Sequence, residues 1–252
     1  MDKSEFKHNL DEYNRLCEAG RFKSYGSVSN IERLEPLLTD SGPGCQAGVC
    51  SGHYFHQDLL VANYIFRRRP AIHLDIGSRI DGFITHLLSF EQNIIIGDIR
   101  PLSYRHPRLE FCSIDLSKPI PSAFCGAFDS VSSLHAVEHV GLGRYGDRID
   151  PEGHITAIGN LQKMVARAGN LYLSFPIGRS RVEFNSQRVL SIAESLEIFK
   201  SFNLTPKLLR IVDDQGHLLP TNFSRGNSWG QDLSFYAGCA IWMLQNNVIQ
   251  GH

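Results

Sequence analysis

Four short apolar runs, each bordered by an aspartate, constrain the fold of this chain more than any other feature. Asp75 ends AIHLD, Asp98 ends IIIGD, Asp115 ends LEFCSID, and Asp129 opens FDSVSSL. Such runs are typical of buried parallel strands in a sheet covered by helices on both faces. Because ligands bind at the carboxyl ends of the strands in these sheets, we expect all four acids at one ligand-binding edge.

The alternation of apolar runs with helical patterns predicts an α/β fold with a doubly wound, mostly parallel sheet over residues 58–252. Ser191 and Glu194 form the S-x-x-E pattern of a helix N-terminus. The predicted helices cover 58–69, 81–90, 154–167 and 191–202. The predicted strands cover 71–76, 93–98, 109–114, 128–133, 170–175, 207–213 and 234–244.

Residues 1–57 are expected to form a separate N-terminal helical and loop extension. Helical spacing of apolar residues predicts helices over 4–18 and 30–38, and a loop rich in glycine follows. The extension can act as a lid over a site or as a packing arm, and the sequence favours neither.

The charge balance argues against a nucleic-acid partner, because 25 Lys and Arg nearly cancel 26 Asp and Glu. The run Arg67 to Arg69 precedes Pro70 and is interpreted as a helix C-terminus, where cations are favoured. No stretch approaches the roughly 20 apolar residues that span a bilayer, and the N-terminus is charged throughout. We therefore expect a cytoplasmic protein with reduced cysteines.

The turn DIGSRIDGF after the first strand has the character of a nucleotide site. Gly77 allows a ligand to approach the backbone, and the helix that follows presents N–H groups. Asp98 lies about 20 residues further on, where an acid accepts hydrogen bonds from ribose hydroxyls. Asp115 ends the third run and can accept from an exocyclic amine such as that of adenine.

The series HLDIGS, IIIGD, CSIDL, FDSVSSLHAVEHV and GNLYLSFP resembles the successive motifs of class I S-adenosylmethionine-dependent methyltransferases over roughly residues 58–245. GSRIDGF, DIRPL, EHVGLGRYGD and VEFNSQR further resemble a bacterial family of unknown function, DUF268, often encoded near surface-polysaccharide genes. The resemblance implies a Rossmann-like, seven-stranded sheet with its last strand antiparallel.

The resemblance also implies S-adenosylmethionine as cofactor, bound over Gly77 with Asp98 on the ribose and Asp115 at the adenine. The expected cofactor-binding residues are Asp75, Gly77, Ser78, Arg79, Asp98 and Asp115. One departure stands out, because methyltransferases repeat glycine as D-x-G-x-G-x-G, whereas Ser78 to Asp81 precede Gly82 here. Arg79 can pair with the carboxylate of the cofactor, or it can contact Asp81, or the crowded turn can abolish cofactor binding.

The segment HAVEHVGLGRYGD faces the acceptor in methyltransferases that share its Glu-His pair. Methyl transfer to a hydroxyl requires positioning and removal of a proton. His139 is the first candidate base and Asp147 the second, since an imidazole accepts protons near neutral pH. Glu138, Arg144 and Tyr145 are expected to contact the substrate, although a capped helix and a packed turn would explain the same residues.

The segment CQAGVCSGHYFHQD groups Cys45, Cys50, His53, His56 and Asp58, but the spacing is not that of a zinc finger. We therefore expect no metal. His53 and His56 are interpreted as part of the substrate mouth, and Asn185 and Arg188 as substrate contacts from a later loop.

These features predict an S-adenosylmethionine-dependent methyltransferase that O-methylates a sugar or surface-polysaccharide precursor, so its partner is a small-molecule or glycan acceptor. The alternative is a non-catalytic binding or scaffold protein that keeps the fold with a degenerate cofactor loop. A dehydrogenase is the third interpretation, and the first turn lacks the G-x-G-x-x-G pattern that dinucleotide binding favours.

Overall fold

The computed structural model describes residues 3–19, 48–103, 105–220, 223–224 and 234–248. The chain divides into two compact units, Met1–Cys50 and Ser51–His252. Helix α1, Lys3–Ala19, is the described element of the first unit. The helix predicted over 30–38, together with Cys45, lies outside the described residues. Helix α2 covers His53–Arg68, so it begins five residues before the position predicted from the sequence.

The second unit is built on one twisted sheet. Its main strands are β1 His73–Ile76, β2 Ile94–Asp98, β3 Leu109–Ser113, β4 Phe128–Leu134, β5 Val165–Ile177, β8 Leu204–Val212 and β10 Gly238–Asn246. They lie in the order β3-β2-β1-β4-β5-β10-β8, with the two-residue β9, Phe223–Ser224, at the far edge. Strands β1 to β5 pair in parallel, whereas β10 is antiparallel to β5 and β8. The predicted seven-stranded sheet with an antiparallel last strand is confirmed.

A short hairpin, β6 Arg181–Glu183 and β7 Gln187–Val189, follows β5 and is separate from the main sheet. Helices α4, Gly153–Met164, and α5, Ile192–Ser201, flank it in sequence. The predicted cap of α5 is confirmed, because the Ser191 hydroxyl accepts a hydrogen bond from the Glu194 N–H at 3.1 Å.

The helix predicted over 81–90 is interrupted. Ile80–Ile84 is π-helical, and only Thr85–Ser89, helix α3, is α-helical. A Cβ on Gly82 would lie 2.4 Å from an oxygen of Asp58 on α2. Because any side chain at Gly82 would collide there, glycine is what allows α2 to pack so closely against this segment.

Two hydrophobic clusters cover the sheet. One joins Ile158, Phe199 and Trp242, and so contains residues of α4 and α5. The other joins Ile65 and Phe83, and so contains residues of α2 and of the π-helical turn. Apolar side chains buried on both faces account for the nearly continuous apolar runs in the sequence. Among the described helices, none is both long and apolar enough to cross a bilayer.

Candidate functional site

A cavity of about 760 Å³ opens at the carboxyl edge of the parallel strands. It receives Gly77 from the end of β1, Asp98 from β2 and His135 from the end of β4. This is the edge at which open α/β sheets bind ligands. The cavity brings together many of the residues singled out in the sequence, among them His53, Gly77, Ser78, Arg79, Asp98, His139, Arg144 and Tyr145.

The expectation that all four acids share this edge is wrong for Asp129. Asp129 is the second residue of β4, which runs from Phe128 to Leu134, and it is exposed. Since β4 is parallel to β1, Asp129 lies at the amino end of its strand. It is therefore at the opposite edge of the sheet from Asp98.

The turn after β1 requires glycine at its first position. Gly77 has a φ of +75°, and a Cβ there would lie 2.9 Å from the Cβ of Ala136. Asp75 stabilises this turn through two hydrogen bonds. Its carboxylate accepts from the Ser78 hydroxyl at 2.7 Å and from the Ser78 N–H at 3.2 Å. Asp75 is fully buried, so it supports the turn rather than lining the cavity.

A buried polar chain continues behind this turn. The two ring nitrogens of His73 contact the hydroxyls of Ser130 and Ser132, each at 2.8 Å, and Ser132 donates to Asp75. Burial raises the pKa of Asp75 to about 6, partly offset by hydrogen bonds from Ser132 and Ser78. Burial lowers the pKa of His73 to about 3. Both groups are thus held towards their neutral forms.

Replacing Asp75 with Asn should change how stability depends on pH. A carboxyl whose pKa is raised in the folded state binds protons more tightly there, so its contribution to stability is lost as pH rises from about 4 to about 6. His73, with its lowered pKa, acts in the opposite direction between about 3 and 6.5. His73 is present in both proteins, so the difference between them comes mainly from residue 75. As pH rises from about 4 to about 6, the free energy of unfolding of the variant should increase relative to that of wild type. Urea titrations at about pH 4 and pH 7 measure this, and a pH-independent difference would contradict it.

Asp98 is well placed for a ligand but is already paired. Its carboxylate accepts from Arg100 at 3.0 and 2.7 Å and from the Arg100 N–H at 2.8 Å. Partial burial acts to raise the pKa of Asp98, but Arg100 more than compensates, and the pKa is lowered. The Arg100 guanidinium also lies over the ring of Tyr145, 4.9 Å from its centroid. Asp98 is therefore ionised and can accept further hydrogen bonds from a ligand.

A narrow slot of about 90 Å³ adjoins the main cavity beside Asp98. Its lining is largely apolar, with Asp115 at its edge, where the carboxylate accepts from the Ser117 hydroxyl at 2.6 Å and pairs with Lys118 at 2.9 Å. The slot is lined by Ile76, Gly77, Ile99, Ile114, Leu116, Ala136 and Val140 together with polar residues. Such a slot suits a flat heteroaromatic ring that has one polar edge.

Arg79 makes the contact that the sequence left as an alternative. Its guanidinium donates twice to Asp81, at 3.1 and 2.8 Å, and lies 5.0 Å from the centroid of the Tyr54 ring. Both charged side chains are more than half exposed. Arg79 therefore lines the cavity in a solvent-accessible ion pair, which a ligand carboxylate can exchange for Asp81.

The segment after β4 holds His139 in one tautomer. Its Nδ1 lies 2.6 Å from the Ser186 carbonyl oxygen, which only accepts, so Nδ1 carries the proton. Nε2 is left with a lone pair, 3.7 Å from Oε1 of the fully buried Glu138. Arg144 also donates to the Ser186 carbonyl, at 3.1 Å. His139 is thus arranged to accept a proton at Nε2, beside a carboxylate that would stabilise the resulting cation.

Two predicted site residues hydrogen-bond to the backbone of the loop, although Asp147 also lines the narrow slot. Asp147 accepts from the N–H groups of Gly141 at 2.6 Å, Tyr145 at 3.2 Å and Gly143 at 3.3 Å. Partial burial acts to raise its pKa, but these N–H groups lower it, which makes Asp147 a poor base. Arg188 is buried and donates to the carbonyls of Val140 at 2.5 Å and Asp150 at 2.8 Å. The expectation that Arg188 contacts substrate is therefore wrong, since its donors are occupied by the backbone.

Two other predicted substrate residues lie outside the cavity lining. His56 packs edge-on against Phe55, with ring centroids 5.2 Å apart. Asn185 is exposed in the turn of the β6–β7 hairpin with a φ of +60°, a conformation that asparagine tolerates better than most residues. The cavity also contains residues that the sequence did not indicate, among them Tyr54, Arg100, His135, Pro176, Ser186 and Gln187. Arg100 lies within the motif DIRPL, so a basic residue two positions after Asp98 was the available signal.

One family model matches slightly less than half of the chain. The family described as "Caenorhabditis protein of unknown function, DUF268" matches residues 89–206. Its description names Caenorhabditis, so the bacterial origin inferred from the resemblance is not supported. No curated protein matches the sequence.

Solved structures show the fold. A 1,6-didemethyltoxoflavin-N1-methyltransferase from Burkholderia thailandensis, bound to S-adenosylhomocysteine, is 13% identical, with 76% of this chain and 79% of that chain covered at a TM-score of 0.51. The N-methyltransferase NodS from Bradyrhizobium japonicum is 14% identical, with 78% and 89% covered at 0.50. The [4+2]-cyclase SpnF is 14% identical, with 76% and 82% covered at 0.51. The chain therefore has the fold of S-adenosylmethionine-dependent methyltransferases, a fold on which another reaction also occurs.

Proposed function

We propose that this protein is a methyltransferase that binds S-adenosylmethionine in the cavity at the carboxyl edge of the sheet and methylates a hydroxyl group. The observation that carries the proposal is the meeting of Gly77, Asp98 and His139 in one cavity. A glycine turn, a ribose acid and a base are the parts that the reaction requires.

The residues present fit the cofactor. Gly77 lines the cavity, so a ligand can contact its backbone, whereas a side chain at this position would collide with Ala136. Asp98 would accept the ribose hydroxyls, and the apolar slot beside Asp115 would take the adenine. The Arg79 guanidinium would meet the carboxylate of the cofactor after release from Asp81. The cofactor supplies a methyl group on a sulfonium, which is an excellent leaving group.

The chain itself would supply a base and positioning. Nε2 of His139 would take the proton of the acceptor hydroxyl, and Glu138 would stabilise the imidazolium from 3.7 Å. The Ser186 carbonyl holds the ring, which keeps Nε2 available. Tyr145 and Arg144 line the same cavity and would orient the acceptor. A sugar or polysaccharide precursor suits such a lining, since an aromatic face and a guanidinium contact a sugar ring and its hydroxyls.

The alternative is a non-catalytic binding or scaffold protein, which the Arg79–Asp81 pair in the cofactor turn favours. Calorimetry separates the two functions. We expect the full chain to bind S-adenosylmethionine and S-adenosylhomocysteine, and not NADH. A folded protein that binds none of them at about 1 mM would favour the scaffold, and binding of NADH alone would favour a dehydrogenase. Candidate sugars are then assayed for methyl transfer.

A further inference from the structure

Three side chains from distant parts of the sequence converge beside the cavity. His53 is the first residue of α2, His135 follows β4 directly, and Cys239 is the second residue of β10. Their ring nitrogens and sulfur all lie within 4.8 Å of one another. Ligands of a tetrahedral zinc ion are ~3.3–3.8 Å apart, given zinc–nitrogen and zinc–sulfur bonds of about 2.0–2.3 Å. A contraction of about 1 Å would therefore bring these atoms to coordination distance.

His135 supplies an independent indication of a ligand. Its side chain is only 7% exposed, and its buried Nε2 has no nitrogen or oxygen partner among the described residues, whereas the Cys239 thiol lies near enough to interact with the ring. A buried polar atom left unsatisfied is costly. The other nitrogen, Nδ1, donates to Glu138 at 2.8 Å, so Nε2 is the nitrogen that remains for a metal ion. A carboxylate on the far nitrogen is the usual support of a metal-binding histidine.

The backbone is also strained at this point. His135 has a φ of +52°, in the left-handed region that residues other than glycine seldom adopt. Such strain persists where the surrounding structure imposes it, and it concentrates at functional sites. Here it places the imidazole of His135 between His53 and Cys239.

We propose that His53, His135 and Cys239 bind a zinc-like divalent cation whose fourth position opens into the cavity. Imidazole and thiolate are the ligands that zinc prefers, and three protein ligands with one open position are typical of catalytic zinc sites. His53 and His135 line the cavity, while Cys239 is fully buried behind them. This proposal replaces the expectation of no metal. Of the sequence segment that contains Cys45, Cys50, His53, His56 and Asp58, only His53 belongs to the proposed site.

Coordination requires two changes. The His53 and His135 rings are stacked, with centroids 5.2 Å apart and planes 7° from parallel, whereas a metal lies in the plane of each imidazole that binds it. His53 is partly exposed to a large cavity, so its ring can turn out of the stack. The Cys239 thiol gives up its proton to solvent as the sulfur–metal bond forms.

The use of the ion in methyl transfer rests on the proposed function, whereas ion binding does not. A metal lowers the pKa of a bound water to about 7, and a bound acceptor hydroxyl would be acidified in the same way. The open position and His139 border the same cavity. An acceptor oxygen on the ion would pass its proton to His139 and then bond to the methyl carbon, while the carbon–sulfur bond of the cofactor breaks and its sulfur leaves as a neutral thioether.

The test is a titration of the full-length, metal-free protein with Co²⁺, followed by competition with Zn²⁺. We expect one ion per chain, a thiolate-to-cobalt charge-transfer band and the strong visible absorption of a four-coordinate ion. Cys239→Ser should abolish the charge-transfer band. His53→Gln should weaken binding roughly 100-fold or more, and Glu138→Gln roughly 10–100-fold. His56→Gln on the same helix and Cys125→Ser at an exposed thiol are matched controls and should bind as wild type.

Circular dichroism identifies any variant that fails to fold. If Cys239→Ser or Glu138→Gln does not fold, His53→Gln still tests the proposal, because His53 is only partly buried and its replacement is less disruptive. The proposal is overturned if the wild type does not bind one ion, or if His53→Gln binds as tightly as His56→Gln. Calorimetry of the metal-free protein with S-adenosylhomocysteine tests the cofactor site separately, so failure of one proposal is distinguishable from failure of the other.

Discussion

Replacing His139 with Gln should lower the maximal rate of methyl transfer roughly 100-fold or more, the usual contribution of general base catalysis. The affinity for S-adenosylmethionine should stay nearly unchanged, because His139 is assigned to the acceptor and not to the cofactor. Gln can keep a hydrogen bond to the Ser186 carbonyl, which His139 contacts at 2.6 Å. It cannot accept a proton as Nε2 does. The measurement is a pH–rate series for wild type and variant once an acceptor is found.

The pH profile distinguishes a base from a structural residue. Wild-type activity should fall at acidic pH, because a protonated imidazole cannot accept a proton, and the variant should lack that limb. Glu138→Gln should change the rate through the orientation of His135 and His139, which Glu138 contacts at 2.8 and 3.7 Å. A His139→Gln variant that keeps both the full rate and the acidic limb would show that His139 is structural. Asp147 would then be the remaining candidate, although its carboxylate is occupied by three backbone N–H groups.

The sequence was sufficient to predict the sheet because burial on both faces forces nearly continuous apolar runs. It was less informative where a tertiary contact decides the local structure. The π-helical turn at Ile80–Ile84 lies where Gly82 packs against Asp58, 24 residues earlier in the chain. Strand β5 begins at Val165, within a predicted helix, and pairs first with Phe128 before the register shifts. Neither contact leaves a periodic pattern in the sequence.

The site was predictable where chain order determines position. Gly77 and Asp98 follow strands that are neighbours in a doubly wound sheet, so spacing alone places them at one edge. Asp129 was misplaced because it opens its strand instead of ending it. Arg188 was taken for a ligand contact because the sequence does not reveal that its guanidinium is buried against the carbonyls of Val140 and Asp150.

The convergence of His53, His135 and Cys239 had no sequence signal at all. It depends on β10 inserting between β5 and β8, which pairs Cys239 with Pro176 and Val212. That insertion is a property of the whole topology. Motif spacing can therefore reveal sites built on consecutive elements, whereas a site that joins helix α2 to the last strand becomes visible only in three dimensions.

Replacing Asp98 with Ala should weaken the binding of S-adenosylmethionine by roughly 1.5–3 kcal/mol, the range for a hydrogen bond to a charged group. This corresponds to a roughly 10–150-fold higher Kd. The Asp98 side chain is 15% exposed at the end of β2, so an ionised carboxylate is presented to the cavity with little competing water. Calorimetry with S-adenosylhomocysteine measures the change without an acceptor. Asp129→Ala is a matched control at the opposite edge of the sheet and should bind as wild type.

Arg100 determines how a loss at Asp98 is to be interpreted. If Asp98 accepts the ribose hydroxyls, Arg100→Ala should leave the affinity unchanged or raise it, because the guanidinium now occupies both carboxylate oxygens. If Asp98 serves only to hold Arg100 over Tyr145, then Arg100→Ala should weaken binding as much as Asp98→Ala does. Equal losses in the two variants would remove the ribose role from Asp98 and assign cofactor contact to the Arg100–Tyr145 pair, and full affinity in Asp98→Ala would exclude both roles.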